Sequence, residues 1–242
     1  MPPSLPIVFC AIDTPDPGAA RHLAAAMQAA QCGIKLGLEF FNANGPQGVS
    51  AIRRAHPDLP LFLDLKYHDI PNTAAGAVRA IIPLAPAYLT LHASGGAAMM
   101  RAAQDAAGEE SARLGVPPPA LLGVTVLTSL DDAALDSIGQ TRPMERQVLR
   151  LAKLVQDSGL AGIVCSGHDI APVRAGLGRD LALMVPGIRP VGSAAQDQKR
   201  VMPPQEALRA GATHLVIGRP ITAADDPGAA AAAILANLKE SA

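Results

Sequence analysis

The sequence contains no tryptophan, two tyrosines and four phenylalanines, so aromatic residues make up only 2% of its 242 positions. Such a chain lacks the stacking platforms on which single-stranded nucleic acid is held. A formal net charge of -1 leaves no basic excess to neutralise phosphates, so no nucleic-acid partner is expected. Cysteine is scarce as well. Cys10, Cys32 and Cys165 are odd in number and lack metal-type spacing, which argues against a disulfide framework and for a reducing compartment. No run approaches the roughly 18 uninterrupted apolar residues of a membrane span. The opening MPPSLPIVFCAID has no basic n-region and no long apolar core, so no signal peptide is expected. What remains is a soluble, cytoplasmic globular protein.

Hydrophobic residues, by contrast, are plentiful at 49%, and they come in short runs. The runs IVFCAID (7–13), GIKLGLEFF (33–41), LFLDLKY (61–67), YLTLHAS (88–94), ALLGVTVLTS (120–129), GIVCS (162–166), ALMVPGIR (182–189) and HLVIGRPI (214–221) read as strands. Helical stretches are expected between them at 17–30, 46–55, 72–82, 96–107, 144–158, 169–176, 203–210 and 227–239. Strands apolar on both faces, each followed by a helix, describe parallel β/α units. No Ser/Gly linker or shift in composition divides the chain, so residues 1–242 are expected to form one domain. A doubly wound open sheet is the alternative. Eight units in this length favour a single-domain (β/α)8 TIM barrel.

A barrel of this kind carries its chemistry at the C-terminal ends of its strands. Polar residues gather there in this sequence: Asp13, Lys35, Asp64 with Lys66, His92, Thr128 with Ser129, Ser166, Arg189, and Gly218 with Arg219. Within FLDLKYHDIPNT (62–73), residues two apart share a strand face, so Phe62, Asp64 and Lys66 point one way and Leu61, Leu63 and Leu65 the other. If the leucines meet the helices, Asp64 and Lys66 rise from the barrel axis, and Lys35 on the neighbouring strand reaches the same volume. A structural ion pair bracing the strand ends is the plain alternative. Charge placed beside an apolar core is costly, which favours a functional reason.

A second signal concerns anions. VIGRPIT (216–222) and PGIRP (186–190) follow the last two strands, where barrels commonly bind phosphate. Gly218 allows the backbone N–H a close approach, Arg219 supplies a bidentate fork, and Gln198 in the polar stretch 192–200 offers an amide. A Gly-Arg pair by itself is more often a surface turn. Its strand position is what gives it weight.

Taken together, DLKYHDIPNT (64–73), TVLTS (125–129), PGIRP (186–190), DQKR (197–200) and VIGRPIT (216–222) resemble the orotidine 5′-phosphate decarboxylase family. The resemblance runs from AID at 11–13 to the last strand. It implies a cofactor-free, metal-free (β/α)8 homodimer that converts orotidine 5′-monophosphate to UMP and CO2 in pyrimidine biosynthesis. It further implies that Lys35, Asp64 and Lys66 form a charged array completed by Asp69 of the partner subunit, with Lys66 protonating C6 as CO2 leaves. Asp13 and Lys35 would hold the ribose hydroxyls, assisted by Thr73 of the partner subunit. Thr128 or Ser129 would bind the pyrimidine edge, and Arg189, Gln198, Gly218 and Arg219 the phosphate. His68 and His92 read as supporting residues, and Cys10 and Cys165 as small core residues.

Two rivals stand beside this reading. One is a sugar-phosphate decarboxylase or aldolase of the same superfamily, whose carboxylates would bind Mg2+. The continuation DIPNT, together with TVLTS and DQKR, argues against it. The other is a non-catalytic nucleotide-phosphate binding module, which has little reason to keep Lys35, Lys66 and both acids.

Overall fold

Alternate residues of each short strand meet different surroundings, and that alternation organises the molecule. The computed structural model describes residues 6–190 and 202–239. Its strands are β1 (Val8–Ile12), β2 (Gly33–Gly37), β3 (Leu61–Tyr67), β4 (Tyr88–His92), β5 (Ala120–Val124), β6 (Gly162–Val164), β7 (Ala182–Val185) and β8 (His214–Ile217). All pair in parallel in chain order, and β8 returns to β1 to close the barrel. The expected (β/α)8 architecture is therefore what the chain adopts.

Inside the barrel, Phe9, Phe62, Tyr88, Leu122, Met184 and Val216 form one apolar cluster. Their strand neighbours Val8, Cys10, Ile12, Leu61, Leu63, Leu65, Leu89 and Leu91 belong to the larger core shared with the helices. This is the period-two separation of faces that β-structure imposes. The expected outward turn of the three β3 leucines is borne out. Phe9 meets Phe62 and Tyr88 edge-to-face, with ring centroids 6.1 and 5.7 Å apart. A Cβ at residue 33 would come within 2.5 Å of the Phe9 ring, so Gly33 is what lets that ring fill the axis.

A polar pair sits among these rings. The His214 Nδ1 lies 2.9 Å from the Pro6 carbonyl, and its Nε2 lies 2.8 Å from the Tyr88 hydroxyl. A carbonyl only accepts, so Nδ1 carries the proton and Nε2 accepts from Tyr88. Burial lowers the His214 pKa, against the raising effect of the Pro6 hydrogen bond. It also pushes the Tyr88 phenol up to about 12.

The helices, among the described residues, are α1 (Pro17–Ala29), α2 (Leu38–Ala55), α3 (Pro71–Ile81), α4 (Gly96–Leu114), α5 (Asp132–Ser137), α6 (Met144–Asp157), α7 (Ile170–Leu177), α8 (Pro204–Ala210), α9 (Arg219–Thr222) and α10 (Pro227–Lys239). Pro at the first helical position, as at Pro17 and Pro71, loses no intrahelical bond, and Asp16 caps α1 by accepting from Gly18 N–H at 2.7 Å.

Every strand but β3 is shorter than the sequence suggests, and β2, β5, β7 and β8 are markedly so. GIKLGLEFF stops being a strand at Gly37, and Leu38–Phe41 instead open α2, where Phe40 is buried. Short apolar runs do not distinguish strand from helix by periodicity alone. β5 ends at Val124, leaving TVLTS as a loop, and β7 ends one residue before Pro186, which has no N–H for the ladder. β8 ends at Ile217, so Arg219 opens the one-turn helix α9 rather than ending a strand. The helix expected at 96–107 runs on to Leu114, and α5 was not expected at all.

Candidate active site

Strand register brings the charged residues together. Lys35 on β2 pairs with Ala11 on β1 and Phe62 on β3, and Gly37 pairs with Asp64. Asp64 therefore stands one layer above Lys35 on the same inward face. The Lys35 ammonium lies 3.1 Å from Asp13 Oδ1 and 3.7 Å from Asp64 Oδ2. A Cβ at residue 37 would lie 3.1 Å from that ammonium and 3.6 Å from Asp13 Oδ1, so Gly37 leaves the ion pair its room.

Beyond Asp64 the ladder is irregular. β3 advances from Leu63 to Tyr67 while β4 advances only from Leu89 to Leu91. Among the surplus residues Lys66 adopts φ +49°, a left-handed conformation that a side chain disfavours. Its ammonium turns back to donate to Asp64 Oδ2 at 2.8 Å. The hydroxyl of Thr90, fully buried on β4, donates to Asp64 Oδ1 at 2.9 Å and accepts from the Lys66 backbone N–H at 2.9 Å. Both Asp64 oxygens are thus engaged.

Burial alone would raise the Asp64 pKa. Lys35, Lys66 and the hydrogen bonds from Lys66 and Thr90 outweigh it and hold the carboxyl below the usual carboxylate range. The alternation of acid and base keeps Asp64 ionised at neutral pH and sets the Lys66 ammonium beside it.

These groups line one cavity of about 510 Å³, together with Asp13, Thr128, Arg189, Gly218 and Arg219. Four basic side chains, Lys35, Lys66, Arg189 and Arg219, face two carboxylates, Asp13 and Asp64, so the lining carries excess positive charge. Burial and the nearby Arg219 guanidinium both lower the Arg189 pKa. Two guanidiniums this close define a place for an anion. Ile188 pairs with Met202, which fixes the chain on either side of 191–201 next to Arg189.

Not every expected residue joins the cavity. Asp69 and Thr73 are exposed at the entrance to α3 and do not line the cavity of their own chain; Asp69 Oδ1 accepts from the Ile70 N–H at 2.7 Å. Thr128 lines the cavity, whereas Ser129 is exposed beside it and does not. Gln198 and the DQKR segment lie outside the described residues. Ser166 is fully buried and caps a turn, bonding Asp169 through both its N–H and its hydroxyl, so it is not part of the lining. Cys165 is a buried residue as expected, but it also forms part of the cavity wall. His92 packs its ring 5.4 Å from that of His68; burial, His68 and Lys66 lower its pKa while Asp64 raises it.

Thr90 and Thr222 belong to the site without being among the residues expected from the sequence. Thr90 was legible in principle. In YLTLH the polar Tyr88, Thr90 and His92 alternate with Leu89 and Leu91, which places Thr90 on the inward face two residues from the strand end.

Comparison with known proteins agrees with this geometry. The model of the Orotidine 5′-phosphate decarboxylase / HUMPS family matches residues 6–234. A curated protein of Paramagnetospirillum magneticum named Orotidine 5′-phosphate decarboxylase is 54% identical over 231 residues, 96% of this chain and 97% of that one. Its namesake in Rhodospirillum rubrum is 55% identical over 231 residues, 96% and 93% of the two chains. Among solved structures, the orotidine 5′-phosphate decarboxylase of Lactobacillus acidophilus superposes with a TM-score of 0.84 at 33% identity, over 96% of this chain and 98% of that one.

Proposed function

The chain belongs to the orotidine 5′-phosphate decarboxylase / HUMPS family, and from that membership we propose that it converts orotidine 5′-monophosphate to UMP and CO2 in pyrimidine biosynthesis. The observation that carries this reading is the Lys35–Asp64–Lys66 array in the same cavity as Arg189 and Arg219. One part of the cavity suits a phosphate and the other a reacting carbon that becomes negative.

In the proposed reaction the bond from C6 to the carboxylate breaks and leaves its electron pair on C6. CO2 departs, Lys66 Nζ gives its proton to C6, and the neutral amine is reprotonated from water. Asp13 and Lys35 hold the ribose hydroxyls, Thr128 or Ser129 the pyrimidine edge, and Arg189, Gln198, Gly218 and Arg219 the phosphate. Asp64 would stand against the substrate carboxylate. Two like charges at about 4 Å repel by about 4 kcal/mol at an effective dielectric of 20. Enzymes lower barriers by about 8–23 kcal/mol, so this repulsion is too small to suffice. Preorganised stabilisation of the carbanion by Lys66, with binding energy drawn from the distant phosphate, supplies the larger share.

We propose a single domain over 1–242 and a homodimer in which Asp69 and Thr73 enter the partner's site. Three cysteines without disulfides, Cys10, Cys32 and Cys165, fit a cytoplasmic location. The test is loss of orotidylate absorbance on adding purified protein, with and without EDTA. Decay unaffected by chelator is expected. No decay, or decay that EDTA stops, would favour the binding module or the metal-dependent sugar-phosphate reading respectively.

A further inference from the structure

We propose that Thr90 is a positioning residue for the decarboxylation, its single hydroxyl fixing both the Asp64 carboxylate and the backbone from which Lys66 projects. The inference rests on the reading of Asp64 and Lys66 as the groups at the reacting carbon.

Four observations converge on it. The β3–β4 ladder loses its register opposite Thr90, between the Leu63–Leu89 and Tyr67–Leu91 pairs. In that gap the Lys66 N–H finds no β4 carbonyl and donates instead to Thr90 Oγ1 at 2.9 Å. The same oxygen gives its proton to Asp64 Oδ1 at 2.9 Å. Lys66 itself is held at φ +49°, a conformation that persists only when its surroundings over-determine it.

Each bond has a consequence for the chemistry. A carboxylate held only through Oδ2 by two lysines is free to swing about its χ2 torsion, and the bond to Oδ1 removes that freedom. The bond to the Lys66 N–H fixes where the lysine leaves the strand, and so the arc its ammonium sweeps. A proton donor displaced by about 1 Å can lose on the order of 10²-fold in rate while the ground state binds as before. Thr90 does not line the cavity, so it acts through its two neighbours rather than on the substrate.

The plain alternative is that Thr90 merely packs the barrel interior, where its exposure is 0%. Two substitutions separate the roles. Thr90→Val keeps the shape and removes the hydroxyl, whereas Thr90→Ser keeps the hydroxyl and removes the methyl. The readouts are kcat on orotidine 5′-monophosphate, the Kd for UMP by calorimetry, and the thermal midpoint. Thr90→Val is expected to lower kcat about tenfold or more with UMP affinity within about threefold, and Thr90→Ser to retain most of kcat.

A Thr90→Val enzyme with kcat near that of the wild type would overturn the inference. So would parallel losses of kcat and UMP affinity, or a serine variant as impaired as the valine one. Should Thr90→Val fail to fold, Thr90→Ala carries the same expectation. Failure of both with a sound serine variant would assign the hydroxyl to stability and end the positioning role. A wild type that leaves orotidine 5′-monophosphate intact defeats the decarboxylase reading and this inference together; an active wild type with an indifferent Thr90→Val defeats this inference alone.

Discussion

Lys66 donates to Asp64 Oδ2 at 2.8 Å across one intervening residue, from a backbone held at φ +49°. In a regular strand, side chains two apart stand roughly parallel along one face. The irregular end of β3 is where this pair closes, so the ion pair and the break in the ladder form one feature. A lysine ammonium paired with a carboxylate at the wall of a cavity is the arrangement on which the proposed protonation of the carbanion rests.

Lys66→Ala is expected to lower turnover by about 10²-fold or more, the range for a positioned general acid, while UMP still binds. Steady-state decay of orotidylate absorbance and calorimetry with UMP measure the two effects. A variant that kept more than about a tenth of wild-type turnover would not have lost its acid.

Arg219 faces the cavity close to Arg189. Its replacement by alanine is expected to weaken UMP binding by about 1.5–3 kcal/mol, the range for a hydrogen bond to a charged group. Uridine, which has no phosphate, should be nearly indifferent. Equal losses for the two ligands would place Arg219 away from the phosphate.

Asp69 is exposed, bonds its neighbour's N–H and does not line the cavity of its own chain. If it serves the partner subunit, Lys66→Ala and Asp69→Ala homodimers are each nearly inactive. A mixed dimer has one site with both defects and one with neither. Random mixing makes about half the dimers mixed, so about a quarter of wild-type activity should return on joint refolding. No recovery despite demonstrated subunit exchange would mean that Asp69 acts within its own chain.

His214 supplies a pH prediction for stability. Burial lowers its pKa in the folded state, so on acidification the unfolded chain takes up a proton first. Stability is therefore full above the unfolded value of about 6.5 and declines as the pH falls below it. His92 is lowered too and acts in the same sense. Urea midpoints at pH values on either side of 6.5 should show the decline, and His214→Phe should reduce its slope. An unchanged slope would show that His214 does not titrate between the two states.

The sequence by itself determined the architecture and the charged residues that line the cavity. Period two in LFLDLKY and eight repeats of strand and helix led to the closed barrel. A barrel gathers its strand ends, so Asp13, Lys35, Asp64, Lys66, Thr128, Arg189, Gly218 and Arg219 could be named from position alone. Boundaries were less legible. The run LGLEFF is apolar enough for either state, and only the packing of Phe40 on the buried face of α2 decides between them.

Tertiary structure decided what depends on register. That Gly37 rather than a larger residue lies beside Asp64, that β3 carries surplus residues opposite Thr90, and that Lys66 turns left-handed there all follow from how neighbouring strands align. Pattern along one strand tells which face a side chain takes. It does not tell which residue of the next strand lies opposite, because register is settled by packing between distant segments.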